Sequence, residues 1–180
     1  MKFVKLNLIT QEGLSLAHYQ DGWSMEYGEG GSYNVEVLLN GQKVATVTEY
    51  GNGGPVNVTY LTNNQKEVDD AVLTYLKRTD EDYGPNSKYE WCRNIKKASD
   101  TEYACFVSSL TNIYNHRKKA LSFYKKGYQT VAFADNGYQT NIVAFVSNDQ
   151  KLALNFMKEK NPNAKKIYFI TQDDLEHTII

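Results

Sequence analysis

The 180-residue chain is long enough to bury a core without disulfide bonds, and its 41% apolar and 23% charged residues exclude a disordered chain. It has no run of roughly 18 apolar residues, which excludes a membrane-spanning helix, and its start is too alternating for a signal peptide. The net charge is −1, but residues 117–166 carry ten Lys and Arg against three acids, whereas residues 1–60 carry three Lys against six acids.

Alternating apolar residues predict a meander of strands in the first third of the chain. Residues 2–10 fit a half-buried strand, and the Gly-rich segment 11–32 leaves room for a short strand at 23–27. In "YNVEVLLNGQKVATVTE" the dipeptide Asn40-Gly41 fits the type I′ turn of a hairpin. A further strand is expected at 56–60, so the sheet is antiparallel and has one apolar face that other elements must cover.

Helical spacing follows the strands. Thr62 and Gln65 have the spacing of a capping box, and the apolar residues after them predict a helix that continues to Leu76. The adjacent acids Asp69 and Asp70 are expected to be solvated or to lie in the N-terminal turn of a helix. The segment 78–88 is expected to be an exposed connection. It divides the chain into a meander with a helix (1–80) and a second half (85–180), with one compact domain as the alternative.

The second half begins with helices. A short helix near 89–98 would place Trp91 and Ile95 on one face. A long helix is predicted from Asp100 or Thr101 to about Lys126, where Gly127 ends it.

A second hairpin is predicted at 128–134 and 138–146, turning at Asn136-Gly137. Capping boxes at Ser147–Gln150 and Thr171–Asp174 begin two further helices, with a strand at 165–170 between them. A βαβ unit forms if that strand runs parallel to 138–146. The fold class is therefore α+β: an N-terminal antiparallel β-meander covered by helices, then a long helix followed by a ββαβα unit.

Two Gly-x-Gly-Gly segments, Gly28–Gly31 and Gly51–Gly54, resemble anion-binding loops at first sight. Each is followed by a predicted strand, whereas phosphate loops precede a helix, so bulges or close strand crossings are the favoured interpretation. Cys92 and Cys105 are expected to be reduced thiols of a cytoplasmic protein, with a disulfide bond between them as the minor alternative, and Cys105 is expected to be buried and inert. No spacing typical of a nucleophile with its base, or of metal ligands, occurs, so we predict no catalytic residue, no metal and no cofactor.

The basic tract is interleaved with aromatic residues, and it is the predicted partner-binding region. Lysines hold phosphates and tyrosines stack on bases, but an acidic protein surface would be bound equally well. Solvated helix faces without a binding role are the other interpretation. The candidate residues are Tyr114, Arg117, Lys118, Lys119, Tyr124, Lys125, Lys126, Tyr128, Lys151 and Lys158.

The segment "NVEVLLNGQKVATVTEYGNGGPVNV" resembles the N-terminal hairpin of small, mostly uncharacterised proteins from bacteriophages and other mobile elements. Gly41, Gly51, Gly53 and Gly54 match their pattern, whereas Glu49 and Tyr50 replace an acidic-amide pair. "KKALSFYKKGYQTVAF" is similar to their later basic helix and hairpin.

The resemblance implies a non-enzymatic binding protein in the cytoplasm of a bacterial host. Such a protein would inhibit a host protein or nucleoprotein complex, as anti-CRISPR and other anti-defence inhibitors do. A nucleic-acid-binding accessory protein is one alternative, and a small enzyme that binds a nucleotide at the Gly-rich segments is another. The resemblance defines no catalytic residue.

Overall fold

The computed structural model describes residues 8–24, 28–51, 54–136, 139–177 and 179–180, and it confirms the α+β class. The chain divides into two units: one holds the described residues from 8 to 111 with Ile179 and Ile180, and the other holds those from 112 to 177. Residues 80–85, where the sequence suggests a boundary, lie inside the first of these units. Of the strand predicted at 2–10, residues 2–7 lie outside the described part, and Ile9 forms an isolated parallel bridge with Ile179.

The first unit contains an antiparallel meander whose strands follow one another in chain order. The strands are β1 (Leu14–Ser24), β2 (Gly28–Leu39), β3 (Gln42–Glu49) and β4 (Asn57–Tyr60). The predicted hairpin of β2 and β3 is confirmed, with Asn40 at φ 52° and Gly41 at φ 79°, both values of a type I′ turn.

Strand β1 is longer than the sequence predicts. The sequence allows only a short strand at 23–27, but β1 spans eleven residues and pairs with β2 as far as Ser24 and Gly28. The pairing shifts between Gly22 and Trp23, so that Gly30 and Gly31 form a bulge in β2. The first Gly-x-Gly-Gly segment is thus part of a bulged strand, as the favoured interpretation expected. Met25 and Tyr27 lie outside the described residues.

Three helices follow: α1 (Gln65–Thr79), α2 (Glu90–Arg93) and α3 (Asp100–Tyr124), of which α3 continues into the second unit. The predicted capping box at Thr62 is wrong, because the residue before α1 is Asn64 and its side chain does not cap the helix. Instead the Thr62 hydroxyl accepts a hydrogen bond from the Asn64 N–H, and the Asn64 amide donates to Glu67.

The connection between α1 and α2 is partly buried, which corrects the prediction of an exposed segment. Tyr83 is buried, and its hydroxyl donates to the carboxylate of Glu102, a buried residue of α3, at 3.1 Å. Helix α2 is only four residues long, shorter than the helix predicted near 89–98, and it buries Cys92, whereas Trp91 is 59% exposed.

The expectation that Asp69 is solvated is also wrong. Asp69 is buried, and one carboxylate oxygen accepts hydrogen bonds from Tyr60 of β4 and Tyr103 of α3, at 2.6 and 3.0 Å. The carboxylate therefore joins the sheet to two helices. Asp70 is exposed, as predicted, and pairs with Lys66.

The second unit contains a three-stranded sheet with the order β6-β5-β7. Its elements in chain order are β5 (Thr130–Asp135), β6 (Thr140–Phe145), α4 (Gln150–Lys160), β7 (Lys166–Phe169) and α5 (Gln172–Glu176). Both outer strands run antiparallel to β5, so β6 and β7 are parallel to each other with β5 between them. Strand β6, helix α4 and strand β7 therefore form the βαβ unit that the sequence allowed, in the split form in which another strand lies between the two parallel ones. The turn at 137–138 lies outside the described residues.

Side chains of β5 point alternately to the two faces of this sheet, which gives three layers. Val131 and Phe133 pack with the end of α3, and Ala132 and Ala134 pack with Met157 of α4. Helix α3 and helix α4 therefore cover opposite faces.

The last two helices, α4 and α5, each begin at a residue whose side chain caps the helix. The capping box of Thr171 and Asp174 at α5 is confirmed. The one predicted at Ser147 is wrong, because Asp149 caps α4 by accepting from the Leu152 N–H. Among the described residues no helix combines the length and the hydropathy that crossing a membrane needs.

Candidate partner-binding surface and cleft

The end of α3 carries a group of exposed lysines that we call the basic helix surface: Lys118, Lys119, Lys125 and Lys126. Lys118 and Lys119 lie within the last two turns of the helix. Lys125 and Lys126 follow the last helical residue, and the Lys125 N–H still bonds to the Leu121 carbonyl at 3.0 Å. Cations near this end are favoured by the helix dipole.

Aromatic rings lie between these lysines. The ammonium groups of Lys119 and Lys126 lie 5.8 and 6.0 Å from the centre of the Phe123 ring, and Tyr128 packs edge-on against the same ring at 5.5 Å. Lys118 lies 5.9 Å from the Tyr114 ring. These contacts hold the lysine stems along apolar surface while the charges stay in water. Among the described residues, no carboxylate forms an ion pair with Lys118, Lys119 or Lys126.

Two of the predicted partner-binding residues point into the protein instead. Arg117 is 8% exposed and donates a hydrogen bond to the His177 carbonyl at 2.6 Å. Burial lowers the pKa of its guanidinium, and Asp174 opposes that shift. Tyr124 is buried, its hydroxyl donates to the Ile170 carbonyl at 2.6 Å, and burial raises the pKa of its phenol. Both residues connect α3 to the C-terminal part of the second unit.

Lys151 and Lys158 are exposed on α4. Because α4 and α3 cover opposite faces of the sheet, these lysines do not extend the basic helix surface. The sequence could not decide this point, since helical spacing does not show which face of a sheet a helix covers.

A cleft of about 420 Å³ opens in the second unit, and Tyr124 at the end of α3 is among its lining residues. It lies where β6 and β7 end and β5 begins, and the chain enters α4 and α5 at its rim. The crevice beyond the carboxyl ends of parallel strands is where α/β proteins commonly bind ligands. Its lining residues are Tyr124, Gln129, Thr130, Asn148, Gln150, Phe169, Thr171, Gln172 and Asp173.

Most of the polar side chains that line the cleft are amides and hydroxyls. Among the described lining residues Asp173 is the one acid and there is no Lys or Arg, so the cleft suits an uncharged, hydrogen-bonding group better than an anion. Two hydroxyls of the lining already have partners. The Thr130 hydroxyl donates a hydrogen bond to the Ser147 carbonyl. The Thr171 hydroxyl donates to the Asp174 carboxylate and accepts from the Asp174 N–H. Sequence reasoning missed the cleft, and the only local signal for it was the pair of helix-start patterns after β6 and β7.

The cysteines and the second Gly-x-Gly-Gly segment show no catalytic arrangement in the described part. The Tyr83 hydroxyl lies 3.7 Å from the Cys105 sulfur, and burial raises the pKa of that thiol, which disfavours the nucleophilic thiolate. Gly51 donates its N–H to the Glu49 side chain at 3.1 Å. Within the described ranges, no three His, Cys, Asp or Glu residues are grouped as metal ligands would be.

Comparisons with family models, with curated proteins and with solved structures find nothing that matches this chain. The resemblance of the N-terminal hairpin to phage and mobile-element proteins therefore stays a prediction.

Proposed function

We propose that the protein is a non-enzymatic binding protein that attaches, through the basic helix surface, to an anionic region of a macromolecule and blocks it. The observation that carries this proposal is the group of four exposed lysines at and directly after the end of α3, three of which pair with no carboxylate in the described part. Unpaired surface cations of one sign attract a partner of opposite sign and speed its association.

The charge of the two parts of the chain supports the same proposal. Residues 112–177 carry ten Lys and Arg against six acids, whereas residues 7–111 carry eight against fifteen. The basic residues are thus concentrated in the smaller unit, and four of them lie at the end of one helix. A host protein with an acidic surface, or a nucleoprotein complex such as a CRISPR effector in the bacterial cytoplasm, would present the complementary charge.

Direct binding of nucleic acid is the second candidate function. Phe123 and Tyr128 favour it, because their half-buried rings lie among lysines, as in surfaces that combine phosphate contacts with base stacking. Such binding weakens steeply as salt is raised, because each neutralised phosphate releases counterions.

The test is capture of partners from a bacterial lysate by the wild type and by two charge-reversal variants. In the first, Lys118, Lys119 and Lys126 become Glu; in the matched control, Lys151, Lys158 and Lys160 of α4 become Glu. We expect the first variant to lose the captured partner and the control to retain it, with equal melting temperatures. Equal capture by the two variants would remove the basic helix surface from the proposal. Nuclease treatment and salt titration of the captured material separate a protein partner from a nucleic acid.

A further inference from the structure

The outer edge of β6 is unpaired in the described part of the chain, where β6 forms a ladder with β5 alone. The Asn136 N–H donates a hydrogen bond to the Gln139 carbonyl at 3.2 Å. This bond shows which residues of β6 direct their backbone N–H and C=O groups toward β5, because such residues alternate along an antiparallel pair. The N–H and C=O groups of Thr140, Ile142 and Ala144 therefore point away from β5.

The other sheet edges carry features that discourage pairing with another chain. Strand β7 has four residues and follows Lys165, and β4 has four residues and follows Pro55. Strand β1 is longer, but two register shifts interrupt it and it contains Asp21. Short strands, lysines, prolines, bulges and charges are the usual protections of sheet edges.

Strand β6 has none of these protections. Residues 139–148 contain no charged residue and no proline, and the ladder with β5 runs without a register shift. A regular, uncharged edge of this kind is a template for a further strand.

Apolar side chains continue from the edge onto α4. Val146, directly after β6, is 77% exposed, and Leu152 and Phe156 of α4 are 59% and 39% exposed. The Phe156 ring packs edge-on against Phe145 of β6 at 5.6 Å. A strand added at this edge would lie beside exposed apolar surface that a single copy leaves in water.

We propose that β6 is a dimerisation edge, at which it pairs antiparallel with β6 of a second copy of this chain. A two-fold interface requires a surface that is complementary to itself. Pairing centred on Ile142 places Thr140 opposite Ala144 and Asn141 opposite Val143, so no like charges meet. The two sheets then form one sheet of six strands.

The first test is the mass of the wild-type protein by light scattering and sedimentation at increasing concentrations, together with hydrogen exchange of the β6 amides. We expect a shift from the 20.5 kDa monomer to a dimer. The Thr140, Ile142 and Ala144 amides should become protected over the same concentration range. A monomer at every concentration overturns the proposal, whether its edge amides exchange freely or are covered by the same chain.

The second test removes an outward N–H group without touching the ladder to β5. Thr140→Pro and Ala144→Pro should give monomers with an unchanged circular dichroism spectrum, since prolines are tolerated where the N–H faces solvent. Thr140→Ser and Ala144→Ser keep the N–H and should remain dimeric. A dimer that persists in both folded proline variants uses another interface and overturns the proposal. If neither proline variant folds, the concentration dependence of wild-type amide protection decides.

Discussion

The Tyr168 hydroxyl lies 2.6 Å from Nδ1 of His116, so a side chain of β7 is hydrogen-bonded to one of α3 inside the second unit. The imidazole packs against Phe133 with ring centres 5.1 Å apart, and Phe133 stacks on Tyr168 at 5.2 Å. Burial lowers the pKa of His116, although Asp135 opposes the shift, and burial raises the pKa of Tyr168 to about 12. A neutral imidazole therefore pairs with a protonated phenol at neutral pH.

This pair predicts that stability declines in weak acid. The unfolded chain binds a proton at His116 more readily than the folded protein, so the contribution of His116 is present above the unfolded pKa of about 6.5 and is lost as pH falls below it. Each pKa unit by which the folded value of His116 lies below the unfolded one corresponds to about 1.4 kcal/mol of folding free energy. Melting temperatures measured from pH 8 to pH 5 should fall for the wild type and fall less for His116→Gln. Identical profiles for the wild type and His116→Gln would refute the assignment.

The buried carboxylate of Asp69 gives a second prediction. Asp69→Ala leaves the Tyr103 hydroxyl buried without its acceptor, and an unsatisfied buried group costs about 1–3 kcal/mol. With the lost bond from Tyr60, we expect the free energy of unfolding to fall by about 2–4 kcal/mol. Urea denaturation measures it. The control is the next residue, Asp70→Ala, which breaks only an exposed pair with Lys66 and should cost less than about 0.5 kcal/mol. Equal losses from the two variants would contradict the role given to Asp69.

Arg117 and Lys118 are adjacent cations with opposite environments, and this predicts opposite effects. Arg117→Ala removes a donor to the His177 carbonyl and opens space in a buried site, so we expect a loss of about 2–3 kcal/mol in stability. Lys118→Ala should change stability by less than about 0.5 kcal/mol and weaken partner capture. Thermal unfolding and capture are measured on both variants. A stable Arg117→Ala protein that has lost its partner would return Arg117 to the binding surface.

The sequence could predict those parts of the structure that depend on contacts between residues close together along the chain. Asn40-Gly41 and the Thr171–Asp174 box work through backbone groups within a few residues, and both are present as expected. Strand β1 was missed because His18 to Asp21 are polar and exposed, so its outer half shows no apolar alternation. Its neighbour β2, rather than its own sequence, holds it in the sheet.

The site depends more on distant contacts than the fold does. Tyr83 is buried because Glu102, nineteen residues later, accepts its hydroxyl, and Arg117 is buried because the chain returns sixty residues later at His177. The cleft combines Gln129 and Asn148 from two connections with Gln172, the first residue of α5. Spacing along one segment does not encode such contacts, and it does not separate the buried Arg117 from the exposed Lys118 beside it.

Two glycines with positive φ angles give the last prediction, because a Cβ at each would meet different surroundings. At Gly41, φ is 79° and nothing lies within 4 Å of an added Cβ, so Gly41→Ala should cost only the left-handed backbone, about 1 kcal/mol. At Gly13, φ is 81° and the Cβ would lie 2.2 Å from the Asn40 side-chain oxygen. Gly13→Ala should therefore cost more than Gly41→Ala. In an Asn40→Gly background the excess should disappear, because the obstructing amide is gone, and a double-mutant cycle in urea measures this coupling. A cycle without coupling would mean that the Asn40 amide rotates away at no cost, and that the backbone of Gly13 alone sets the penalty.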